Sequence, residues 1–163
     1  YIIKRGERYG IRIRDHKHPR LQELDHIPTY PINPDYVVEA ILEPFDTPRT
    51  MTVATPVEGF TEEYKCPGIL IFSIKGQELE LYPFISGKGY FLVIADETTG
   101  METYGAGRFM YADRTSKNRA ILDFNKAYNP PCAFSPYATC PMPPRENFLP
   151  VAIEAGEKAV HLD

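Results

Sequence analysis

Apolar and polar residues alternate along much of this chain with a period of two, which is the spacing of β-strands with one buried face. The stretch "YGIRIRD" alternates isoleucine with arginine, and "YFLVIAD" is apolar almost throughout, as in a central strand. The sequence shows no long helical periodicity and no internal repeat. Besides a central hairpin, strands are predicted at Tyr9–Asp15, Tyr36–Phe45, Thr50–Thr55, Tyr90–Asp96, Thr103–Ala112, Arg119–Asn125 and Leu149–Lys158, the last alternatively a short helix.

The stretch "GILIFSIKGQELELYPFI" predicts the central β-hairpin. Gly76 would occupy the first central position of a two-residue type II′ turn, where glycine is required. This register places Lys75 opposite Glu78 and Phe72 opposite Leu81. Charge then meets opposite charge and apolar side chains meet each other, so the predicted pairing is consistent with the turn.

Proline, at 16 of 163 residues, is concentrated in two long segments that regular structure cannot easily span. Residues 19–34 hold four prolines, with room for one helical turn near Leu21–Leu24, and Asp123–Asn147 holds six. We therefore predict an all-β fold, an antiparallel sandwich or partly closed barrel with long proline-rich crossing loops. Residues 1–163 are expected to form a single β domain.

Composition and motif content disfavour several classes of partner. The net charge of −4 argues against nucleic acid, and no apolar run approaches the ~20 residues of a membrane-spanning helix. The three cysteines form no CxxC pair and the four histidines are scattered, so no metal site is predicted. No dinucleotide or phosphate-loop motif occurs, so no cofactor is predicted either.

A first cluster of candidate residues arises from the two strands that flank the polar turn "DRTSKN". Pairing their apolar residues places Arg108 opposite Asp123 on the other face, with Asn125 and Tyr104 nearby. Asp123, Arg108 and Tyr104 are the catalytic candidates. Either the pair is a structural ion pair, or Arg108 binds a substrate anion while Asp123 orients it or acts as a base. Access of both side chains to solvent favours the second interpretation, and complete burial with every donor satisfied favours the first.

The second proline-rich segment supplies further candidates. Its prolines restrict the unfolded chain, so the loop loses little entropy on ordering and suits either a structural strap or a preorganised pocket. Side-chain amides can both donate and accept hydrogen bonds there, and an arginine adds positive charge. The binding candidates are Asn125, Tyr128, Asn129, Cys132, Cys140, Arg145 and Asn147.

Two of these candidates, Cys132 and Cys140, lie eight residues apart. They could be separate buried thiols, form a disulfide, or include a nucleophile. A disulfide closing so short a loop would add only about 2–3 kcal/mol, and the prolines already restrict the unfolded chain. We therefore expect two reduced, largely buried cysteines that pack against Phe134 and Tyr137. Cys66 is expected to be an apolar filler.

The stretches "ETTGMETYGAGRFMYA", "LDFNKAYNPPCAFSPYATCPMPPREN" and "LPVAIEAGEK" closely resemble a bacterial family known as domain of unknown function 1684. The resemblance extends to "INPDYVVEAILEPF" and to the opening "IIKRGERYGIRIRD", and its most specific feature is the Asn-Pro-Pro-Cys motif at residues 129–132. It implies a β-rich protein with no established reaction, in which a further N-terminal β-rich region precedes the C-terminal part seen here. The signature residues coincide with the two candidate clusters.

These features favour a domain that binds or acts on a small polar or anionic molecule, in a pocket between the Arg108/Asp123 face and the proline-rich loop. The alternative is a structural or protein-interaction domain without catalysis. We also expect an upstream domain of the same chain, because the first residues already resemble paired strands. An exported or periplasmic location is favoured over the cytoplasm.

Overall fold

The computed structural model describes residues 1–5 and 8–160. Helical structure in these residues is limited to α1 (Arg20–Glu23) and single 3-10 turns at Pro34–Tyr36, Phe124–Lys126, Pro131–Ala133 and Arg145–Asn147. The all-β prediction is therefore confirmed. The strands are β1 (Ile2–Arg5), β2 (Arg8–Ile11), β3 (Val37–Ala54), β4 (Thr61–Ile74), β5 (Gln77–Leu81), β6 (Phe84–Ser86), β7 (Gly89–Ile94), β8 (Arg108–Ser116) and β9 (Arg119–Asp123).

Seven strands form one antiparallel sheet in the order β5-β4-β3-β9-β8-β7-β6, while β1 and β2 pair separately as a hairpin. The large sheet curls, so that the ring of Tyr64 in β4 stacks on that of Phe84 in β6, with centroids 4.5 Å apart. β5 and β6 nevertheless remain its two edges, so the sheet is open. No helix in the described part of the chain is long and apolar enough to cross a membrane.

Strand β3 joins two segments that the sequence predicted as separate strands. Its first residues pair with β9 and the rest with β4, and the register with β4 shifts between Pro44 and Arg49. Proline has no amide hydrogen for a ladder and is tolerated where such an irregularity interrupts the pairing. The irregularity lets one long strand bend and serve both halves of the sheet.

The central hairpin exists, but its predicted register is wrong by two residues. Phe72 pairs with Leu79 and Ile74 with Gln77, so the turn residues are Lys75 and Gly76. Both have positive φ, 51° and 80°, which is the pattern of a type I′ turn rather than type II′. A shift of two keeps every side chain on its face, so apolar matching could not distinguish the two registers.

Alternation along the strands separates two apolar cores. In β7, Leu92 and Ile94 belong to the larger core, whereas Val93 between them belongs to the smaller one. In β8, Met110 and Phe109 are divided in the same way. The smaller core contains Val53, Cys66, Phe84, Val93, Phe109 and Cys140. The proline-rich loop therefore covers this side of the sheet.

The predicted strand over residues 149–158 is wrong. This segment is irregular and contributes isolated bridges such as Thr29 with Glu157. Its backbone is held instead by side chains from the sheet, since three of its carbonyls accept hydrogen bonds from Arg108. Alternating apolar residues here reflect burial of Leu149 and Ile153 against the larger core, not a ladder.

Candidate functional site

The predicted cross-strand pair of Arg108 and Asp123 does not form. β8 extends through the predicted polar turn, so Asp113 pairs with Ile121, three residues out of the expected register. Arg108 consequently lies beyond the end of β9 and pairs with Ile94 of β7 instead. Strand β8 lies between β9 and β7, and only its later residues, from Asp113, reach β9.

The carboxylate partner of Arg108 is Asp96, which follows the end of β7. Arg108 Nη2 donates to Asp96 Oδ2 at 2.8 Å, and both side chains are essentially inaccessible to solvent. The other carboxylate oxygen, Oδ1, accepts from the backbone and hydroxyl of Thr98, at 2.8 and 2.6 Å, and from the backbone of Ile153 at 3.3 Å. Hydrogen bonds of this number and quality are what a buried charge requires.

The guanidinium of Arg108 also donates to backbone carbonyls of Ile153, Ala155 and Glu157. With 0% of its surface exposed, Arg108 meets the burial part of the criterion for a structural ion pair, but its Nε has no hydrogen-bond partner in the described part of the chain. It ties the irregular C-terminal segment to the sheet and does not present its charge to a ligand.

The polar candidates of the loop also bind backbone. Asp123 accepts from the amide of Asn125 and caps the 3-10 turn at Phe124–Lys126, and its other oxygen pairs with Lys126 at 3.2 Å. Asn125 exchanges two hydrogen bonds with the backbone of Asn33, at 2.9 and 3.0 Å. These contacts fasten the first crossing loop to the second.

Asn129 and Asn147 are buried and serve the same purpose. The backbone N–H of Asn129 donates to the Glu157 carboxylate at 2.7 Å, and its side-chain amide donates to the carbonyl of Lys158. Asn147 accepts from Tyr82 N at 2.7 Å and donates to the carbonyls of Tyr82 and Val93. Arg145, by contrast, is exposed at the start of a 3-10 turn. Most of the predicted candidates thus use their side chains to bind backbone groups, and they do not form one common site.

Three of the candidates do come together: Tyr104, Cys132 and Cys140. The hydroxyl of Tyr104 donates to the carbonyl of Cys132 at 3.2 Å, and the amide of Cys132 donates to Cys140 Sγ at 3.2 Å. Both cysteines are unlinked; Cys140 is buried and Cys132 is only half-buried. The expected packing against Tyr137 is wrong, because that side chain is 92% exposed.

The two thiols have unequal acidities. A hydrogen bond from the Cys140 thiol, opposed by burial and assisted by the Tyr104 hydroxyl, lowers the pKa of Cys132 to about 7. The same contact with Cys132, together with burial, raises the pKa of Cys140. Burial also raises the pKa of Tyr104 to about 12, so its hydroxyl remains a donor at neutral pH. A thiolate at Cys132 therefore has two donors beside it.

An open groove of about 1040 Å³ begins at Cys140. Strands β6 to β8 form its floor, residues 131–141 of the proline-rich loop form one wall, and the β1–β2 hairpin with residues 12–14 forms another. The floor is aromatic. Phe91 lies against Phe109 edge-to-face, with centroids 5.0 Å apart, and against Tyr111 at 5.2 Å. Tyr128 extends this cluster beneath the loop, next to Phe109 and Tyr111.

Charged groups lie at the rim of the groove. Arg12 and Arg14 project from the hairpin side and are exposed, and on the sheet side Glu62 accepts a hydrogen bond from the hydroxyl of Tyr64. Sequence reasoning missed Phe91, Tyr111 and Tyr64, because aromatic residues in strands read as core. The available signal was that Tyr111 alternates with buried Met110, which leaves it on the opposite face.

Comparison with known proteins identifies the family to which this chain belongs. The family model described as "Protein of unknown function (DUF1684)" matches residues 22–158. The chain belongs to this DUF1684 family. Among solved structures, it is similar to an uncharacterized protein of Haloarcula marismortui determined by solution NMR, with 32% identity and a TM-score of 0.69 over 85% of this chain and 78% of that one. No curated protein matches the chain.

The DUF1684 match confirms the resemblance stated from the sequence, and it spans most of the chain rather than one terminal part. Within the matched residues lie the groove floor, the proline-rich loop and both cysteines. The β1–β2 hairpin and its arginines precede residue 22 and lie outside the match. The sheet-and-loop side of the groove is therefore the part that belongs to the family domain.

Proposed function

We propose that this DUF1684 domain binds a small anionic molecule with a flat apolar body, in the groove between the proline-rich loop and the aromatic floor. The observation that carries the proposal is the cluster of aromatic rings on the floor of an open cavity, beside exposed arginines. Flat apolar ligands gain burial and ring contacts on such a surface.

The size and charge of the groove support this ligand class. Its volume of about 1040 Å³ lies at the upper end of the roughly 300–1,000 Å³ typical of small-molecule sites. The guanidinium groups of Arg12 and Arg14 suit a carboxylate, phosphate or sulfonate. Anion binding, one of the two interpretations considered for Arg108, is proposed instead for these two residues, because the Arg108 guanidinium binds Asp96 and backbone carbonyls.

The proposal is tested with 8-anilino-1-naphthalenesulfonate, a flat aromatic sulfonate whose fluorescence rises on apolar surfaces. We expect saturable binding to the native domain, weakened at least severalfold in Tyr111→Ala. Phe148→Ala is the matched control: Tyr111 is 58% exposed and Phe148 57%, but Phe148 lies outside the groove. Neither change should alter the urea midpoint, which separates ligand contacts from loss of fold.

Charge is tested in the same assay. Arg14→Glu should weaken dye binding, whereas Lys117→Glu in the β8–β9 turn, with the same change of charge, should not. Equal dye affinity in all four variants and the native domain would overturn the proposal. It would favour the alternative of a structural or protein-interaction domain.

Two further statements remain proposals. Residues 1–163 form a single domain, and an exported or periplasmic location is favoured over the cytoplasm. Limited proteolysis checks the first, and the cell fraction containing the protein checks the second.

A further inference from the structure

The thiols of Cys132 and Cys140 form an asymmetric pair that the proposed binding role does not use. The 3-10 turn at Pro131–Ala133 points the backbone amide of Cys132 at Cys140 Sγ, 3.2 Å away. Prolines on both sides of this turn and at position 141 restrict the arrangement. The two cysteines therefore lie side by side on the loop without any rearrangement of the sheet.

Access to solvent differs between the two members. Cys132 is half-buried, whereas Cys140 is 4% exposed and reaches the end of the groove. The Cys140 thiol and the Tyr104 hydroxyl lie beside Cys132 and lower the pKa of its thiol, which favours the thiolate. Cys140 itself is buried and protonated. The Cys132 sulfur is thus arranged to react first as a nucleophile, and the Cys140 thiol lies beside it.

The third cysteine provides an internal reference. Cys66 is fully buried in the smaller core and its thiol donates to the carbonyl of Gly68 at 3.1 Å. Burial raises the pKa of the Cys66 thiol, and the side chain has no access to solvent, so it should remain a protonated thiol. Oxidants should leave it unchanged while the domain is folded.

We propose that Cys132 and Cys140 are a hydroperoxide-sensitive redox pair, in which Cys132 is oxidised first and Cys140 then closes a disulfide. In the first step the Cys132 thiolate attacks one peroxide oxygen. The O–O bond breaks, the departing oxygen leaves as water or alcohol after taking a proton, and Cys132 becomes a sulfenic acid. Cys140 then attacks that sulfur, the S–O bond breaks, and hydroxide leaves as water with the proton of Cys140.

Over both steps, the two thiols together lose two electrons and one hydroperoxide molecule gains them. A cellular dithiol or glutathione would restore the pair by thiol–disulfide exchange. Since Cys140 lines the groove, the disulfide would form in the wall of the proposed binding site. The inference does not depend on what the groove binds.

The test begins with native protein treated with hydrogen peroxide, alkylated after denaturation and mapped by mass spectrometry. We expect two of the three thiols to disappear together, with a crosslink between Cys132 and Cys140 and free Cys66. Cys140→Ser should stop at a sulfenic acid on Cys132 that dimedone traps, and Cys132→Ser should lose no thiol. Cys66→Ala, the matched control, should form the crosslink as the parent does.

The pH dependence of alkylation supplies a readout that packing alone would not change. At pH 6 a thiol with a pKa of about 7 is ~9% thiolate, against ~0.3% for an ordinary thiol of pKa about 8.5. The weaker intrinsic nucleophilicity of the more acidic thiol removes about fivefold of that ~30-fold gain. Iodoacetamide should therefore modify folded Cys132 about sixfold faster than the same residue in the urea-unfolded chain. Tyr104→Phe should move the midpoint of the rate upwards in pH.

Three results would overturn the proposal. One is peroxide-dependent loss of thiols without a Cys132–Cys140 crosslink in the parent protein. Another is a Cys132 alkylation midpoint at the ordinary thiol value. The third is equal reactivity of the folded protein's three cysteines. Each is measured on the unsubstituted chain, so it stands even where a cysteine variant fails to fold.

Discussion

Replacing Arg108 by methionine decides whether this residue is a structural tie or a ligand-binding group. Methionine keeps the apolar stem but removes the guanidinium. Asp96 then keeps only the donors from Thr98 and Ile153, and the carbonyls of Ile153, Ala155 and Glu157 lose a donor in the interior. Breaking a buried pair on one side typically costs about 3–5 kcal/mol. That is a large share of the roughly 5–15 kcal/mol that stabilises a domain.

Urea denaturation followed by tyrosine fluorescence and far-ultraviolet circular dichroism measures the loss. We expect Arg108→Met to lower the free energy of unfolding by about 3–5 kcal/mol and the melting temperature by roughly 6–20 °C. The control is Arg119→Met, which removes an exposed ion pair with Glu39 and should cost about 1 kcal/mol or less. Adding Asp96→Leu to Arg108→Met should cost much less than the sum of the single changes, since the two charges act together.

The opposite pattern would refute this account. An Arg108→Met protein with unchanged stability and lost binding of the aromatic sulfonate would mean that the arginine serves the groove. If the free energy of unfolding fell by less than about 1 kcal/mol and dye binding did not change, Arg108 would have neither the structural role nor the ligand-binding role. The buried contacts predict neither result.

Two more predictions follow from local geometry. Gly107→Ala should destabilise the domain by about 2 kcal/mol or more in urea, because φ is +83° and the new Cβ would lie 2.3 Å from Cγ of Pro143. A neutral result would contradict the close approach of the loop to β8. Tyr104 and Tyr128 have pKa values raised to about 12 by burial, so their tyrosinate absorbance at 295 nm should lag behind that of the unfolded protein. A raised folded pKa means that the stabilisation is complete below about pH 10 and is lost as the pH rises towards 12, and a stability curve that is flat over that interval would disprove it.

Period-two patterning was enough to predict the fold class and the position of most strands, because burial of one face repeats along the chain whatever the partner is. The partner itself was harder to predict. Shifting the central hairpin by two residues kept Phe72 on the same face, so the sequence contained no penalty for the wrong register. For β8 and β9 the shift was three, and the error arose because the polar residues Asp113 to Ser116 read as a turn although they continue an exposed strand.

For the candidate site, the sequence named several residues but not the contacts that they make. The sequence named Tyr104, Cys132 and Cys140 as candidates in two separate clusters, and the structure brings the three together. The partner of Arg108 could not be found by strand matching, since Asp96 lies beyond the end of β7 and its other contacts come from an irregular segment. The aromatic floor was hidden because a ring on an open face and a ring in a core have the same sequence pattern.

The contacts of Arg108 also determine the order in which its surroundings can form while the chain is being synthesised. The carbonyls that complete its surroundings belong to residues 45 to 49 positions later in the chain, while Asp96 precedes it by only 12. A polypeptide emerging from the ribosome therefore exposes this ion pair before the segment that shields it has been translated. Sheet pairing can begin with the early hairpins, but the charged pair cannot be sealed from water until residue 157 is available. Residues 153–157 thus complete the burial of this ion pair, and a chain truncated before them would leave its most buried charges open to solvent and to proteases.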